Sequence, residues 1–220
     1  MTNTTIVGFG GAARAGKDVS ARAITTAFGR QYDIRQYAFA TPLKVEMYDA
    51  LLNPRDAYWD RRNYLILPHP RSHEIFLNDS DKVAWIDRHK EELRADLQYY
   101  GSEYRRAANP FYWIKKMAET ISRDSPKVAL ITDVRFPNEH AFVAGNNGFL
   151  VKVIRLGYQN PEGVGAHVSE TALDRHKWHF EITVNDGDVA ELEKDAVWVF
   201  NRIIEAVGGE AYAQSQADAA

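Results

Sequence analysis

The sequence predicts an α/β fold of three layers, a parallel five-stranded sheet with helices on both faces. Three observations lead to it. Short runs rich in β-branched and aromatic residues alternate along the chain with stretches of helical spacing. The run Val128-Ala129-Leu130-Ile131 is apolar without alternation, as in a strand covered on both faces. The 220 residues are 45% hydrophobic and 26% charged, the make-up of a globular chain with enough length for a sizeable core.

Strands are expected at 5–9, 34–39, 127–132, 149–154 and 180–184, and helices at 17–29, 42–52, 80–99, 111–123, 137–144 and 188–206. In the helix at 80–99, Val83, Ile86, Leu93 and Leu97 form the inner face. Pro137 opens its helix, because the fixed φ of proline suits a first turn. The last helix is the most periodic, with Val189, Leu192, Ala196, Val199 and Ile203 on one stripe. Residues 53–79 interrupt the alternation with Pro54, Pro68 and Pro70, a charged cluster and two histidines. So short a piece buries little surface, and it reads as an excursion from the sheet within a single domain over 1–207. From Gly208 onward almost no large apolar residue remains, and 208–220 reads as a disordered tail.

Composition excludes several classes. No apolar run approaches the roughly 18 residues of a membrane span, and Met-Thr-Asn-Thr-Thr lacks the basic-then-apolar layout of a signal peptide. A soluble, cytoplasmic chain with no membrane partner is expected. The absence of cysteine removes disulfides, thiolate metal sites and a thiol nucleophile. With 27 basic and 30 acidic side chains the net charge is −3, which disfavours a dominant electrostatic hold on nucleic acid. Histidines at 69 and 73, or at 167, 176 and 179, come without an H-E-x-x-H arrangement, so a zinc hydrolase is not expected. The basic residues Arg55, Arg61, Arg62, Arg88 and Lys90 are interleaved with acids and read as solvated faces.

The strongest chemical signal is Gly11-Ala12-Ala13-Arg14-Ala15-Gly16-Lys17-Asp18, placed after an apolar strand and at the start of a helix. Glycine, four residues, glycine and lysine form the phosphate-loop pattern. Its glycines let successive backbone N–H groups converge on an anion, and the helix N-terminus adds partial positive charge. Lys17 is expected to reach the β- and γ-phosphates of a nucleotide. Asp18 stands where a Ser or Thr hydroxyl usually meets Mg²⁺. It reads either as an oxygen ligand for the cation or as an acid interacting with the helix dipole, and both readings stand. No guanine-reading Asn/Thr-Lys-x-Asp tetrapeptide occurs, and the chain is short for a motor ATPase. Small kinases remain.

Further blocks follow in order: Phe39-Ala40-Thr41-Pro42-Leu43-Lys44, Leu97-Gln98-Tyr99-Tyr100-Gly101-Ser102-Glu103-Tyr104-Arg105-Arg106, Thr132-Asp133-Val134-Arg135-Phe136-Pro137-Asn138-Glu139, His167-Val168-Ser169-Glu170 and Val184-Asn185-Asp186-Gly187. With Gly16-Lys17-Asp18 they resemble the bacteriophage-type deoxynucleoside monophosphate kinases, a branch of the phosphate-loop nucleoside monophosphate kinases. The resemblance covers about residues 5–205 and departs at two positions. Thr41 stands where an acid more often precedes Pro-Leu-Lys, and Val19 where a threonine commonly follows Gly-Lys-Asp, which weakens a hydroxyl ligand for the metal.

What the resemblance implies is a P-loop kinase fold that moves the γ-phosphoryl of ATP, with Mg²⁺, to a deoxynucleoside 5′-monophosphate. It implies a helical acceptor-binding insertion over about 53–110, a short lid over about 156–168, and a homodimer. The ATP contacts would be Gly11, Ala13, Arg14, Ala15, Gly16, Lys17, Asp18, Val19 and Asn185. Acceptor contacts would be Lys44, Tyr100, Arg105, Trp113, Asp133, Arg135, His167 and Glu170. Lys17, Arg135 and Arg155 would act on the transferring phosphate, and Asp18 and Asp133 on the metal.

Elementary chemistry is consistent with those roles. The attacking phosphate oxygen is already anionic, so the enzyme needs cations and alignment and no general base. Arg105 and Arg106 follow Gly101, read as a break in the preceding helix, where a guanidinium fork can take a phosphate bidentately. Arg135 lies at the carboxyl end of a strand, where ligands of doubly wound sheets collect. Asp133 either holds metal-bound water or locks Arg135 by a salt bridge. Residues 157–165, with three glycines and a proline, read either as a closing lid or as a surface loop. The aromatics Tyr99, Tyr100, Tyr104, Phe111, Tyr112 and Trp113 read either as core or as base-stacking surface. Asn185-Asp186-Gly187 is either a turn or a donor-base contact. Two rival functions stay open at this level: a kinase for another small molecule, such as a coenzyme precursor or sugar, and a non-catalytic nucleotide-binding module.

Overall fold

A computed structural model of the chain describes residues 4–52, 70, 74–158, 172–173 and 175–217. The fold is α/β, with a five-stranded, wholly parallel sheet flanked by helices. The strands are β1 (Thr5–Gly10), β2 (Ile34–Tyr37), β3 (Val128–Val134), β4 (Phe149–Leu156) and β5 (Phe180–Asn185), in the spatial order β2-β3-β1-β4-β5. All five expected strands are present, with ends moved by one to two residues. The helices are α1 (Lys17–Phe28), α2 (Ala40–Leu52), α3 (Asp79–Arg88), α4 (Lys90–Gln98), α5 (Tyr112–Asp124), α6 (Pro137–Gly145) and α7 (Val189–Ala217).

The chain divides into two compact units, one of Met1–Ala38 with Ile121–Ala220, the other of Phe39–Thr120. The second unit thus starts before, and ends after, the insertion anticipated at 53–110. Residues 53–69 and 71–73, which hold most of the irregular stretch, lie outside the described residues.

In the first unit β1 is central. Val7 and Phe9 point to one face, where a buried cluster joins them to Ile24 of α1, Val151 and Val153 of β4, Ile182 of β5, and Leu192, Val199, Phe200 and Ile203 of α7. On the other face a Cβ at Gly8 would lie 2.9 Å from Val143 of α6 and 3.0 Å from Val134, so the absence of a side chain lets the strand and helix close. The alternation dictates both layers. Of the expected α7 stripe, Val189 is the exception at 50% exposure, because it sits in the first turn before the helix reaches the sheet. The backbone of α7 stays helical through Gly208 to Ala217, where the sequence reads as a disordered tail; its alanines have high helix propensity.

Two further corrections fall in the second unit. The helix expected at 80–99 is two helices, parted at His89 (φ −102°, ψ 15°). The His89 ring stacks on Trp85 with centroids 4.0 Å apart, and its Nδ1 donates to the Trp85 carbonyl at 2.9 Å. A side chain that bonds its own helix backbone competes with the regular ladder. Trp85, absent from the expected inner face, is 1% exposed, whereas Val83 is only half-buried. Nor does Gly101 break the helix. The segment Tyr99–Arg106 is π-helical and runs through it. A Cβ at Gly101 would approach Leu43 Cδ2 to 3.0 Å, and its carbonyl accepts the Trp113 indole N–H at 3.0 Å. Among the described residues no helix is long and apolar enough to cross a membrane.

Candidate functional site

The site is built at the carboxyl end of β1, between β3 and β4, where the strand order reverses; ligands of open α/β sheets collect at such a point. The chain leaves β1 at Gly11 with φ +126°, and a Cβ there would stand 2.2 Å from the Val153 carbonyl oxygen. Only glycine fits so close to β4. Arg14 adopts the left-handed φ of +60°, and Gly16, the N-cap of α1, has φ +105° with Leu192 2.4 Å from where a Cβ would lie. No side chain caps α1, and Asp18 lies in its first turn. The result is a left-handed bend of backbone leading into a helix N-terminus, a form suited to anions.

Lys17 is 6% exposed, and its ammonium donates to the carbonyls of Gly11 (2.9 Å) and Ala12 (2.6 Å). A buried ammonium needs such partners. The lysine therefore curls back over the loop it belongs to, with its charge held beside the same bend. Ser20, fully buried one turn on, donates to the Gly16 carbonyl at 3.2 Å.

A cavity of about 240 Å³ opens beside the loop. Gly11, Ala12, Ala13 and Ala15 form one wall, and the cations Arg135, Lys152 and Arg155 line it with Tyr158 and Trp178. Lys152, Tyr158 and Trp178 are lining residues that sequence reasoning missed. A Cβ at Gly10 would meet the Trp178 ring at 2.1 Å, so the bare strand end is what admits the indole. The indole Nε1 is buried, with no hydrogen-bond partner among the described residues. Trp178 lies just before β5, so only the β4–β5 pairing brings it here.

Arg135 follows β3 in a turn fixed by Glu139. That carboxylate is 1% exposed and accepts from the backbone N–H of Arg135 (2.8 Å) and of Phe136 (3.1 Å). Pro137 opens α6 as expected. Asp133 sits half-buried near the end of β3. Arg155, near the end of β4, is held by Asp186: Nε donates to Oδ1 at 2.7 Å and Nη2 bonds the same oxygen. Its Nη1 donates to the Arg14 carbonyl at 3.0 Å. Asn185 ends β5 and is exposed, its carbonyl accepting from the Asp188 N–H at 3.1 Å. His167 and Glu170, with residues 159–168 of the anticipated lid, lie outside the described residues.

In the second unit Arg105 occupies a cage. Its Nη2 donates to the Tyr100 hydroxyl at 2.7 Å, Nε lies 3.2 Å from Glu46, and the rings of Tyr100, Tyr104 and Tyr112 stand 5.1–5.4 Å from its Cζ. Burial opposes its charge, but Tyr100 and Glu46 outweigh this and hold its pKa above the ordinary value. Glu46 also accepts from the Tyr112 hydroxyl at 2.5 Å and pairs with Lys116 at 3.3 Å. Tyr100 (1% exposed) and Trp113 (2%), both expected as acceptor contacts, are buried, with the Tyr100 hydroxyl bonded to Arg105 and the Trp113 indole N–H bonded to the Gly101 carbonyl. Lys44 is paired with Asp87 at 2.7 Å.

Among the described residues no three His, Asp or Glu converge on one point. His140 packs edge-on to His176 (5.0 Å) and Trp178 (5.4 Å), with its Nε2 donating to the Lys177 carbonyl at 2.9 Å. Burial, and then its histidine neighbours, lower its pKa despite that bond. Asp18, in the first turn of α1, and Asp133, near the end of β3, are the carboxylates expected for Mg²⁺, and carboxylate oxygens are hard ligands of the kind that ion prefers. No family model matches the chain, and no curated protein matches it at a significant level.

Proposed function

We propose that this protein is a deoxynucleoside monophosphate kinase of the bacteriophage type, which transfers the γ-phosphoryl group of ATP to a deoxynucleoside 5′-monophosphate. One observation carries the reading: a glycine-bounded loop with a buried lysine, at the switch point of a parallel sheet, opens on a cavity lined by three more cations. A polyanion suits a group of cations beside a helix N-terminus.

In the proposed reaction the loop amides and Lys17 hold the β- and γ-phosphates. Arg135 and Arg155 neutralise charge on the transferring group, and Arg105 serves the acceptor phosphate. An oxygen of the acceptor phosphate forms a bond to the γ-phosphorus while the bond to the β–γ bridging oxygen breaks. ADP leaves with the electron pair, and no proton need move. Bound Mg²⁺, with Asp18 and Asp133 as its protein ligands, would supply further neutralisation of the polyphosphate. The substrates are cytoplasmic metabolites, and the reading places the protein with them.

The test is ADP production, in a coupled assay, against dAMP, dCMP, dGMP, dTMP and the ribonucleotides. Stimulation by at least one deoxynucleotide above the ATP-only rate is expected. ATP binding by calorimetry with no stimulation by any monophosphate would replace the kinase with a nucleotide-binding module or a kinase for another acceptor.

A further inference from the structure

The contacts of Arg155 go beyond the role given to it above. Its guanidinium touches three separate elements: Asp186 in the turn between β5 and α7, the Arg14 carbonyl in the phosphate loop, and the ring of Tyr158, whose centroid is 4.2 Å from Cζ. The Arg14 side chain returns to the same ring, its Nη1 donating to the Tyr158 hydroxyl at 3.2 Å. Backbone and side chain of Arg14 are thus both tied to the end of β4. Arg14 is also the loop residue whose φ of +60° is unfavourable for a side chain of its kind. The bond from Arg155 meets the carbonyl of this same residue.

We propose that Asp186 is a positioning residue for the phosphate loop: it fixes Arg155 so that Arg155 holds Arg14 in the left-handed conformation that aims the loop amides at a polyphosphate. The proposal rests on the phosphate-binding reading of the loop and adds the residue that keeps it in shape. Asp186 needs no contact with the ligand to act. Two of the guanidinium's three nitrogens are used on Asp186 and the third on the loop, so the carboxylate sets the direction of that third bond. An opposing effect has to be weighed: a carboxylate near the loop repels a polyanion. Its side chain is 45% exposed, so solvent screens that repulsion, while the loop bond acts at contact distance.

The experiment uses the full chain and two readouts. Calorimetry with inorganic tripolyphosphate, which lacks base and ribose, measures the loop alone. Asp186→Ala is expected to weaken its affinity about tenfold, the scale of one charge-assisted hydrogen bond, with an unchanged Tm, and Asp186→Glu to recover most of it. Hydrogen exchange, read without any ligand, should become faster in Asp186→Ala for the amides of residues 11–16 and not for those of the sheet. Affinity equal to or tighter than that of the unaltered chain, or unchanged exchange in 11–16, overturns the proposal. Should the unaltered chain fail to bind tripolyphosphate, the phosphate-site reading fails instead, and the exchange result still decides whether Asp186 orders the loop.

Discussion

Lys17 gains its importance from where its charge is kept. The ammonium is buried against two carbonyls of its own loop, so it is desolvated and aimed in advance of any ligand. Lys17→Ala is expected to keep the circular dichroism of the folded chain and to lose about a hundredfold or more in kcat, the scale of one preorganised charge contact in phosphoryl or acyl transfer. A variant that folds and turns over normally would remove the lysine from the mechanism. This residue was legible at once, because strand, glycines and lysine are consecutive in the chain. Lys152 and Trp178 were not. Each is an ordinary strand or pre-strand residue whose meaning comes from standing beside Gly10 and Gly11, a nearness that no local pattern encodes.

At the scale of elements, the β3–α6 turn shows how one buried group places a functional one. Glu139 accepts two backbone N–H bonds from the residues that carry Arg135 into the cavity. Glu139→Ala removes both of these bonds, at a cost on the order of 1–3 kcal/mol for each. Urea denaturation is expected to show a clear fall in midpoint, and the acceptor KM should rise as Arg135 loses its place. The sequence marks this turn through Pro137 and carries Glu139 in the same block, but it does not show that the carboxylate folds back onto the backbone N–H groups of Arg135 and Phe136. A similar limit explains 80–106. The apolar spacing there is helical throughout, yet the stacking of His89 on Trp85 parts α3 from α4, and the Trp113 bond to Gly101 accompanies a wide π-helical turn. Both are side-chain contacts, invisible to periodicity.

For the molecule as a whole, each unit carries a tyrosine tied to a carboxylate. Tyr37 donates to Asp124 (3.2 Å) in the first, and Tyr112 to Glu46 (2.5 Å) in the second. Burial, together with these carboxylates, raises both phenols to about 12 from 10.0. As pH rises, the unfolded chain therefore releases these protons first. The stability they contribute is complete below pH 10 and is lost between 10 and about 12. Tm followed across that range should fall, and Tyr112→Phe should make its slope shallower. An identical slope in the variant would show that Tyr112 carries none of it.

By itself the sequence determined the fold class and the glycine-lysine loop that follows β1. Both are written in short-range terms: periods of two and 3.6 set strands and helices, and the loop needs only adjacent residues of the right size and charge. Tertiary structure alone decided which side chains complete the site and which merely pack. Arg155 meets the loop residue Arg14, 141 positions away, because the order β2-β3-β1-β4-β5 sets the end of β4 beside that of β1. Tyr100 and Trp113, aromatic residues near Arg105 and Arg106 in the chain, are buried instead. Strand order and burial are long-range outcomes of packing, and a residue's neighbours in space follow from them.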